Sequence, residues 1–333
     1  MSLTAEQDAH FMDQALSQAE RARWICPPNP AVGCVIVGGA GEVLGQGHTQ
    51  RTGEAHAEVM ALRDAAARGH SVAGATAYVT LEPCAHQGRT GPCCDALVAA
   101  GIARVVASIE DPNPRVAGQG FARLKAAGVE VLVGPGAEAS RELNIGFFSR
   151  MARGTPWVRL KAASSLDGRT ALPNGRSRWI TSPAARADGH AWRARACAVL
   201  TGIGTVLEDD PQLNVRLPDV LRQPRLVIVD SRLETPPGAR LWGAAQREVL
   251  IYTSYADTSR AAPLRERGAQ LVALPSAQGK VDLAALLRDL AAREVNEVHV
   301  EAGHKLNGSL LREGLVDELL LYQAPRLLGE GAG

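Results

Sequence analysis

Two rhythms of apolar residues alternate along the chain. Short continuous runs such as AVGCVIV (31–37) fit buried strands, and longer stretches with apolar positions three or four apart fit helices. In the first 150 residues the strand-like runs fall at 31–37, 43–47, 76–81, 104–109 and 129–133. Helical ones fall near the N-terminus and at 56–68, 92–100, 121–127 and 138–148. The first helix opens on Thr4-Ala5-Glu6-Gln7, the capping-box spacing, and carries Phe11, Met12, Ala15, Leu16 and Ala19 at helical intervals. The glycine-rich turn GGAG (38–41) returns the first strand to the second, and Gly69 and Gly101 stop helices.

The basic stretch RMARGTP (150–156), with Gly154 and Pro156 as breakers, reads as a linker, and a second pattern begins after it. Strands are predicted at 158–162, 198–201, 225–229, 249–252, 297–301 and 319–322, with helices near 183–195, 282–292 and 305–313. Strands alternating with helices of this length predict α/β layers around largely parallel sheets, in two domains, 1–150 and 151–333. No internal repeat relates the halves.

Composition narrows the classes. A length of 333 residues suits two domains at roughly 150 residues each. The net charge of +1 argues against broad nucleic-acid or membrane-surface binding, and no apolar run nears the ~18 residues of a membrane span. Glu6, Asp8 and Asp13 stand where an export signal would be basic and then apolar. The six cysteines (26, 34, 84, 93, 94 and 197) are too few and too uneven for a disulfide framework. They point to a reducing cytoplasm, where clustered cysteine means metal or catalysis.

The cluster lies in LEPCAHQGRTGPCC (81–94), which offers Cys84, His86, Cys93 and Cys94 as ligands. Upstream, His56-Ala57-Glu58 opens a predicted helix. One imidazole and two thiolates suit zinc, and a fourth position left to water makes such a site catalytic, with Glu58 free to move protons. A closed four-ligand site using Cys94 or His86 is the structural alternative. Cys94, about 100° around its helix from Cys93, reads as a small core residue.

The pattern H-A-E, then P-C and a second Cys, resembles the zinc deaminase signature, although eight residues rather than two separate Cys84 from Cys93. The longer loop AHQGRTGP, together with PNPAVG and GEAHAEV, resembles the deaminase domain of the bifunctional riboflavin-biosynthesis deaminase/reductases. The resemblance implies a cytidine-deaminase-like three-layer zinc domain, with His56, Cys84 and Cys93 on one zinc ion per chain and Glu58 as acid/base. Asn29 and Arg89 would contact substrate. Two positions depart from the family: Gly91 replaces proline, and Thr49 stands where the family has histidine.

In the second half, the segments SLDGRTA (165–171), SRWITSP (177–183), TVLEDDPQLNVR (205–216) and VEAGHKLNGSLL (300–311) resemble the reductase domain of the same family. That implies a dihydrofolate-reductase-like α/β domain using NADPH. Its cofactor contacts would be Ala163, Trp179, Thr205, Asp209, Ser231, Gly303, His304, Lys305, Leu306, Asn307, Gly308 and Ser309. Its substrate contacts would be Lys161, Ser177, Arg193, Leu213, Arg216 and Glu301, the two arginines suiting a ribose 5-phosphate. Ala302-Gly303, between a strand and a helix, lets cofactor phosphate approach backbone N–H groups.

The function expected is deamination of a phosphoribosylaminopyrimidine followed by reduction of its ribosyl group to ribityl. The expected partners are that small molecule and further copies of the chain, with no nucleic acid and no membrane. The rivals are a nucleic-acid or nucleoside base deaminase, which would need a basic strand-binding channel, and a zinc-stapled scaffold without catalysis. Family chains continue beyond the position where this one stops at GEGAG, so an incomplete reductase sheet is also expected.

Overall fold

The computed structural model describes residues 4–86, 91–114, 116–172, 174, 180–218, 220–245, 247–255 and 259–329. The chain divides into two compact units, Met1–Arg153 and Gly154–Gly333. Among the described residues no helix is long and apolar enough to cross a membrane.

The first unit runs α1 (Ala5–Ala22), β1 (Gly33–Val37), β2 (Val43–His48), α2 (Ala57–Ala67), β3 (Thr76–Val79), α3 (Cys93–Ala99), β4 (Arg104–Ala107), α4 (Gln119–Ala126), β5 (Glu130–Val133), α5 (Ala137–Leu143) and α6 (Ile145–Arg153). Thr4 caps α1 through the predicted capping box. The sheet order is β2-β1-β3-β4-β5. β3, β4 and β5 are parallel, but β1 is antiparallel to both β2 and β3. The expectation of a largely parallel sheet therefore fails at β1: the tight turn after it makes β1 and β2 antiparallel, and β3, returning after α2, runs parallel to β2 and so antiparallel to β1.

Alternation along β1 divides two helical layers. Val35 and Val37, with Tyr78 and Val106, meet Phe11, Met12 and Ala15 of α1. Cys34 and Ile36, with Ala77, Val79 and Val105, face Ala57, Ala61 and Ala65 of α2 and Leu97 of α3. The alanine stripe of α2 rests almost on backbone. A Cβ at Gly45 would lie 2.3 Å from the Ala61 carbonyl oxygen, and one at Gly47 would lie 2.5 Å from the Ala61 nitrogen. Only glycine in β2 lets α2 sit this close, which fixes the height of its N-terminus above the sheet.

The single helix expected at 138–148 is two. Between α5 and α6, the buried Asn144 accepts from the Ala31 N–H (2.7 Å) and donates to the Ala31 carbonyl (3.0 Å), so its side chain pairs the lead-in to β1. α6 then continues through Arg153, so residues 150–153 of the basic stretch are helical.

The second unit comprises β6 (Trp157–Ser165), α7 (Pro183–Arg195), β7 (Ala198–Gly202), α8 (Ile203–Asp209), β8 (Arg225–Val229), β9 (Val249–Thr253), α9 (Ala261–Glu266), β10 (Ala269–Ala273), α10 (Leu283–Ala292), β11 (Glu297–Val300), α11 (His304–Arg312) and β12 (Glu318–Ala324). Its sheet, ordered β10-β9-β8-β7-β11-β6-β12, is parallel at every pairing. α10 covers one face with Leu283, Leu286, Leu287 and Leu290. Val206 of α8 and Leu264 of α9 pack on the other. Strand order reverses where β11 enters between β7 and β6, and such a switch point opens a crevice at the carboxyl ends of the strands.

Asp8, an exposed-looking acid in the sequence, is buried. It takes two hydrogen bonds from Arg104 (2.8 Å each) and one from the Tyr78 hydroxyl (2.7 Å). Burial alone would raise its carboxyl, but these bonds hold it below the ordinary value. Asp8→Ala should therefore lower the unfolding free energy of the first unit by about 2 kcal/mol, because it removes two charged hydrogen bonds from Arg104 and leaves that side chain only Glu130 (3.1 Å). A carboxyl depressed in the folded state stabilises above the unfolded value and loses that effect as pH falls through the folded one. Denaturant titrations should show the gap between wild type and variant closing below about pH 4.

Candidate active sites

Three chain segments meet at the first site. His56 is the N-cap of α2, in an extended conformation, and its side chain makes no capping bond. Cys84 follows β3 in a loop, and Cys93 is the first residue of α3. The His56 Nδ1 lies 3.6 Å from the Cys84 sulfur and 3.3 Å from that of Cys93, and the three donor atoms lie within 4.8 Å of one another. Zinc bonds of ordinary length in a tetrahedron put nitrogen and sulfur ligands about 3.5 Å apart. The donor set fits zinc in both chemistry and spacing.

Charge at the site is tuned for a cation. The Cys93 side chain, then His56 and the Cys93 backbone N–H, stabilise a Cys84 thiolate and pull it down to about 4. That same thiolate, with burial, pushes the Cys93 thiol up. The hydrogen bond to Cys84 raises the His56 imidazole. Glu58 lies buried in the first turn of α2. Burial, reinforced by Cys84, lifts its carboxyl to about 6, while His56 opposes the shift. A carboxyl poised there, outside the three-donor group, is suited to exchanging protons near neutral pH.

The neighbours sort differently. Cys94 turns away, donating its thiol to the Pro83 carbonyl (3.1 Å) and the Gly120 carbonyl (3.5 Å), and His86 is exposed. Thr49 is buried in the framework, where its hydroxyl accepts from the Val32 N–H (3.2 Å). Asn29 sits in a turn closed by the Cys26 thiol and carbonyl. Arg89 lies outside the described residues, as do Ser177 and Trp179 of the second site.

In the second unit a cleft of about 790 Å³ brings together Lys161, Ala163, Arg193, Asp209, Leu213, Arg216 and Glu301. Glu301 follows β11, and both of its oxygens take hydrogen bonds from Arg193, one at 2.7 Å. Burial would raise this carboxyl, but Arg193, helped by His299, holds it well below the usual range. The Arg193 guanidinium, expected to face phosphate, is thus also committed to Glu301 and to the Asn214 carbonyl (3.0 Å). The wall further includes His190, His299, Arg186, Arg240 and Tyr322, none singled out by the motifs. For His299 a signal existed, since strand alternation puts it on the face of Glu301.

The remaining expected cofactor residues lie at the same carboxyl edge of the sheet but do not line that cleft. Thr205 accepts from the Gly303 N–H (3.1 Å), joining the starts of α8 and α11. Ser231 follows β8, where its hydroxyl accepts from the Val281 N–H (3.2 Å). Within 303–309, the Asn307 side chain donates to the Ala302 carbonyl, and Ser309 donates to that of Lys305.

Residues 5–109 match the family model for the cytidine and deoxycytidylate deaminase zinc-binding region, and residues 156–333 match that for the RibD C-terminal domain. The riboflavin biosynthesis protein RibD of Escherichia coli K12 is 47% identical over 98% of this chain and 90% of its own length. That of Aquifex aeolicus is 40% identical over 98% and 89%. The chain belongs to the RibD family. Among solved RibD structures, that from Acinetobacter baumannii is similar with a TM-score of 0.89 at 44% identity, covering 98% of this chain and 89% of its own. A Thermotoga maritima structure, named a diaminohydroxyphosphoribosylaminopyrimidine deaminase/5-amino-6-(5-phosphoribosylamino)uracil reductase, gives 0.88 at 33% identity over the same shares. The chain is accordingly a bifunctional RibD enzyme, a cytidine-deaminase-like zinc domain followed by a reductase domain.

Metal analysis of the purified protein should find one zinc per chain. His56→Ala and Cys84→Ser should lose it to a chelator that leaves wild type loaded, whereas Cys94→Ser should keep it, since serine can still donate to the Pro83 carbonyl.

Proposed function

We propose that the first unit hydrolytically deaminates 2,5-diamino-6-(5-phosphoribosylamino)pyrimidin-4-one, and that the second reduces the ribosyl group of the product to ribityl with NADPH. The observation that carries this reading is the convergence of His56, Cys84 and Cys93 beside the buried Glu58, in a chain whose other half matches the RibD reductase model. Zinc held by the three donors would supply water acidified to a pKa of roughly 7. Glu58 carries a proton from water to the leaving amine nitrogen, so the ring carbon gains oxygen and ammonia departs. Asn29 and Arg89 hold the pyrimidine and its phosphoribosyl group.

In the reductase half, Arg193 and Arg216 hold the ribose 5-phosphate, with Ser177 and Leu213 completing the substrate side. Glu301 and Lys161 face the ribose from the cleft wall. Ala163, Trp179, Thr205, Asp209, Ser231 and the 303–309 segment would hold the nucleotide, the N–H groups at the start of α11 being suited to a phosphate. NADPH bound there would supply hydride to the sugar carbon, and a proton from solvent or a cleft side chain would complete the reduction. The reading includes action in the cytoplasm as a homo-oligomer, on a small molecule and not on nucleic acid.

Incubation with the diaminopyrimidine ribotide, following ammonia without NADPH and then NADPH oxidation, tests both halves. Ammonia should appear first, and NADPH should be consumed only afterwards. A zinc-loaded wild type that releases no ammonia would overturn the deaminase assignment. Glu58→Gln should keep its zinc and lose about 100-fold or more in kcat of deamination. Arg216→Ala should raise the KM of the reductase step, and an unchanged KM would remove Arg216 from the phosphate site.

A further inference from the structure

Glu82 is buried, two residues before Cys84, and has no cationic partner among the described residues. Its carboxylate instead accepts four backbone N–H groups from one distant segment. Oε1 takes those of Gly120 (2.8 Å) and Phe121 (3.3 Å), and Oε2 takes those of Gly118 (2.9 Å) and Asp111 (3.2 Å). Gly120 and Phe121 lie in the first turn of α4, whose N-cap, Gly118, has no side chain to offer. Glu82 therefore caps α4 from elsewhere in the sequence, where orphan donors and the positive end of the helix dipole favour a carboxylate.

The same junction is closed from other sides. A Cβ at Gly120 would stand 2.0 Å from the Pro83 carbonyl oxygen, so the two backbones touch. The Cys94 thiol bridges the Pro83 and Gly120 carbonyls, and the Cys94 N–H donates to the Cys84 carbonyl (3.2 Å). Asp111 is held close enough that the charges of Glu82 and Cys84 both act on its buried carboxyl.

We infer that Glu82 is a positioning residue of the deaminase site: its carboxylate fastens the backbone of Asp111, Gly118, Gly120 and Phe121 to the Glu82-Pro83-Cys84 turn, and so sets the Cys84 ligand. This rests on the reading that His56, Cys84 and Cys93 hold zinc. A carboxylate is needed because four donors converge on it. An amide at this position would turn an NH₂ group toward N–H groups and leave donors unpaired.

The test is Glu82→Gln in the full chain, read in three ways. In metal-free protein, hydrogen exchange of the amides of Asp111, Gly118, Gly120 and Phe121 should accelerate, independently of any zinc. In zinc-loaded protein, release to a chelator and the loss in deamination kcat should each change by about 10- to 100-fold, as for other groups that orient metal ligands. NADPH reduction of separately deaminated substrate should stay at the wild-type rate, which controls for the reductase unit, and far-UV circular dichroism with an unchanged denaturant transition controls for folding of the first unit. Faster exchange with wild-type zinc release and kcat would reduce Glu82 to a structural cap and overturn the inference, and so would unchanged exchange. If Glu82→Gln does not fold, Gly120→Ala pries the same junction apart with the carboxylate intact. Wild-type zinc release in that variant overturns the inference equally. A wild type that binds no zinc would instead strike the zinc reading, while the metal-free exchange still reports on Glu82.

Discussion

His56 Nδ1 can stand 3.6 and 3.3 Å from two sulfurs only where the start of α2, the exit of β3 and the start of α3 converge. The glycines of β2 admit the alanine face of α2 at backbone distance, which sets the level of His56 and Glu58. The Cys94 backbone and thiol, together with the Glu82 carboxylate, hold the turn that carries Cys84. Two thiols, an imidazole and a carboxylate crowd together, with Cys93 and Glu58 buried and His56 and Cys84 half-buried. Their protons are redistributed accordingly, with Cys84 acidified and Glu58 lifted.

The reductase unit solves a different problem with a parallel sheet. With every strand running the same way, the loops after β7, β8 and β11 emerge on one edge, and the reversal in strand order opens a crevice there. The crevice is lined by opposed charges, and the Arg193–Glu301 pair is at its centre. Taking both groups out of water is tolerable because each satisfies the other in a bidentate geometry. Beneath it, Arg159, Arg195 and Glu297 form a second buried ionic group, so charge in this unit is structural as well as functional.

The two sites differed in how far they could be read from sequence. Zinc ligation depends on residue types that few other roles require, so local motifs marked His56, Glu58 and the cysteine cluster, and the resemblance singled out Cys84 and Cys93 from Cys94 and His86. Lys161, Arg193, Arg216 and Glu301 came from resemblance, since a lone arginine in a helix is as readily a solvated charge. The structure collects these four in one cleft and adds His190 and His299, which belong to no motif. Asp8 is the converse case. Its acidity spoke only against an export signal, yet it is a buried partner of Arg104 in β4, distant in sequence.

Local pattern determined every strand except β10, most helices, the capping of α1, the two α/β halves, and the candidate ligands His56, Cys84 and Cys93 that the fold brings together. These follow from side-chain periodicity, turn chemistry and ligand type, which act over a few residues. Tertiary structure alone decided that β1 also runs antiparallel to β3, that Asn144 divides a helix to pair Ala31, and that Arg193 spends its guanidinium on Glu301. It also decided that Glu82, unremarked within LEPC, caps a helix 36 or more residues away. The physical reason is common to all of these. A buried polar group must find its partner wherever packing brings one, and sequence distance does not limit that search.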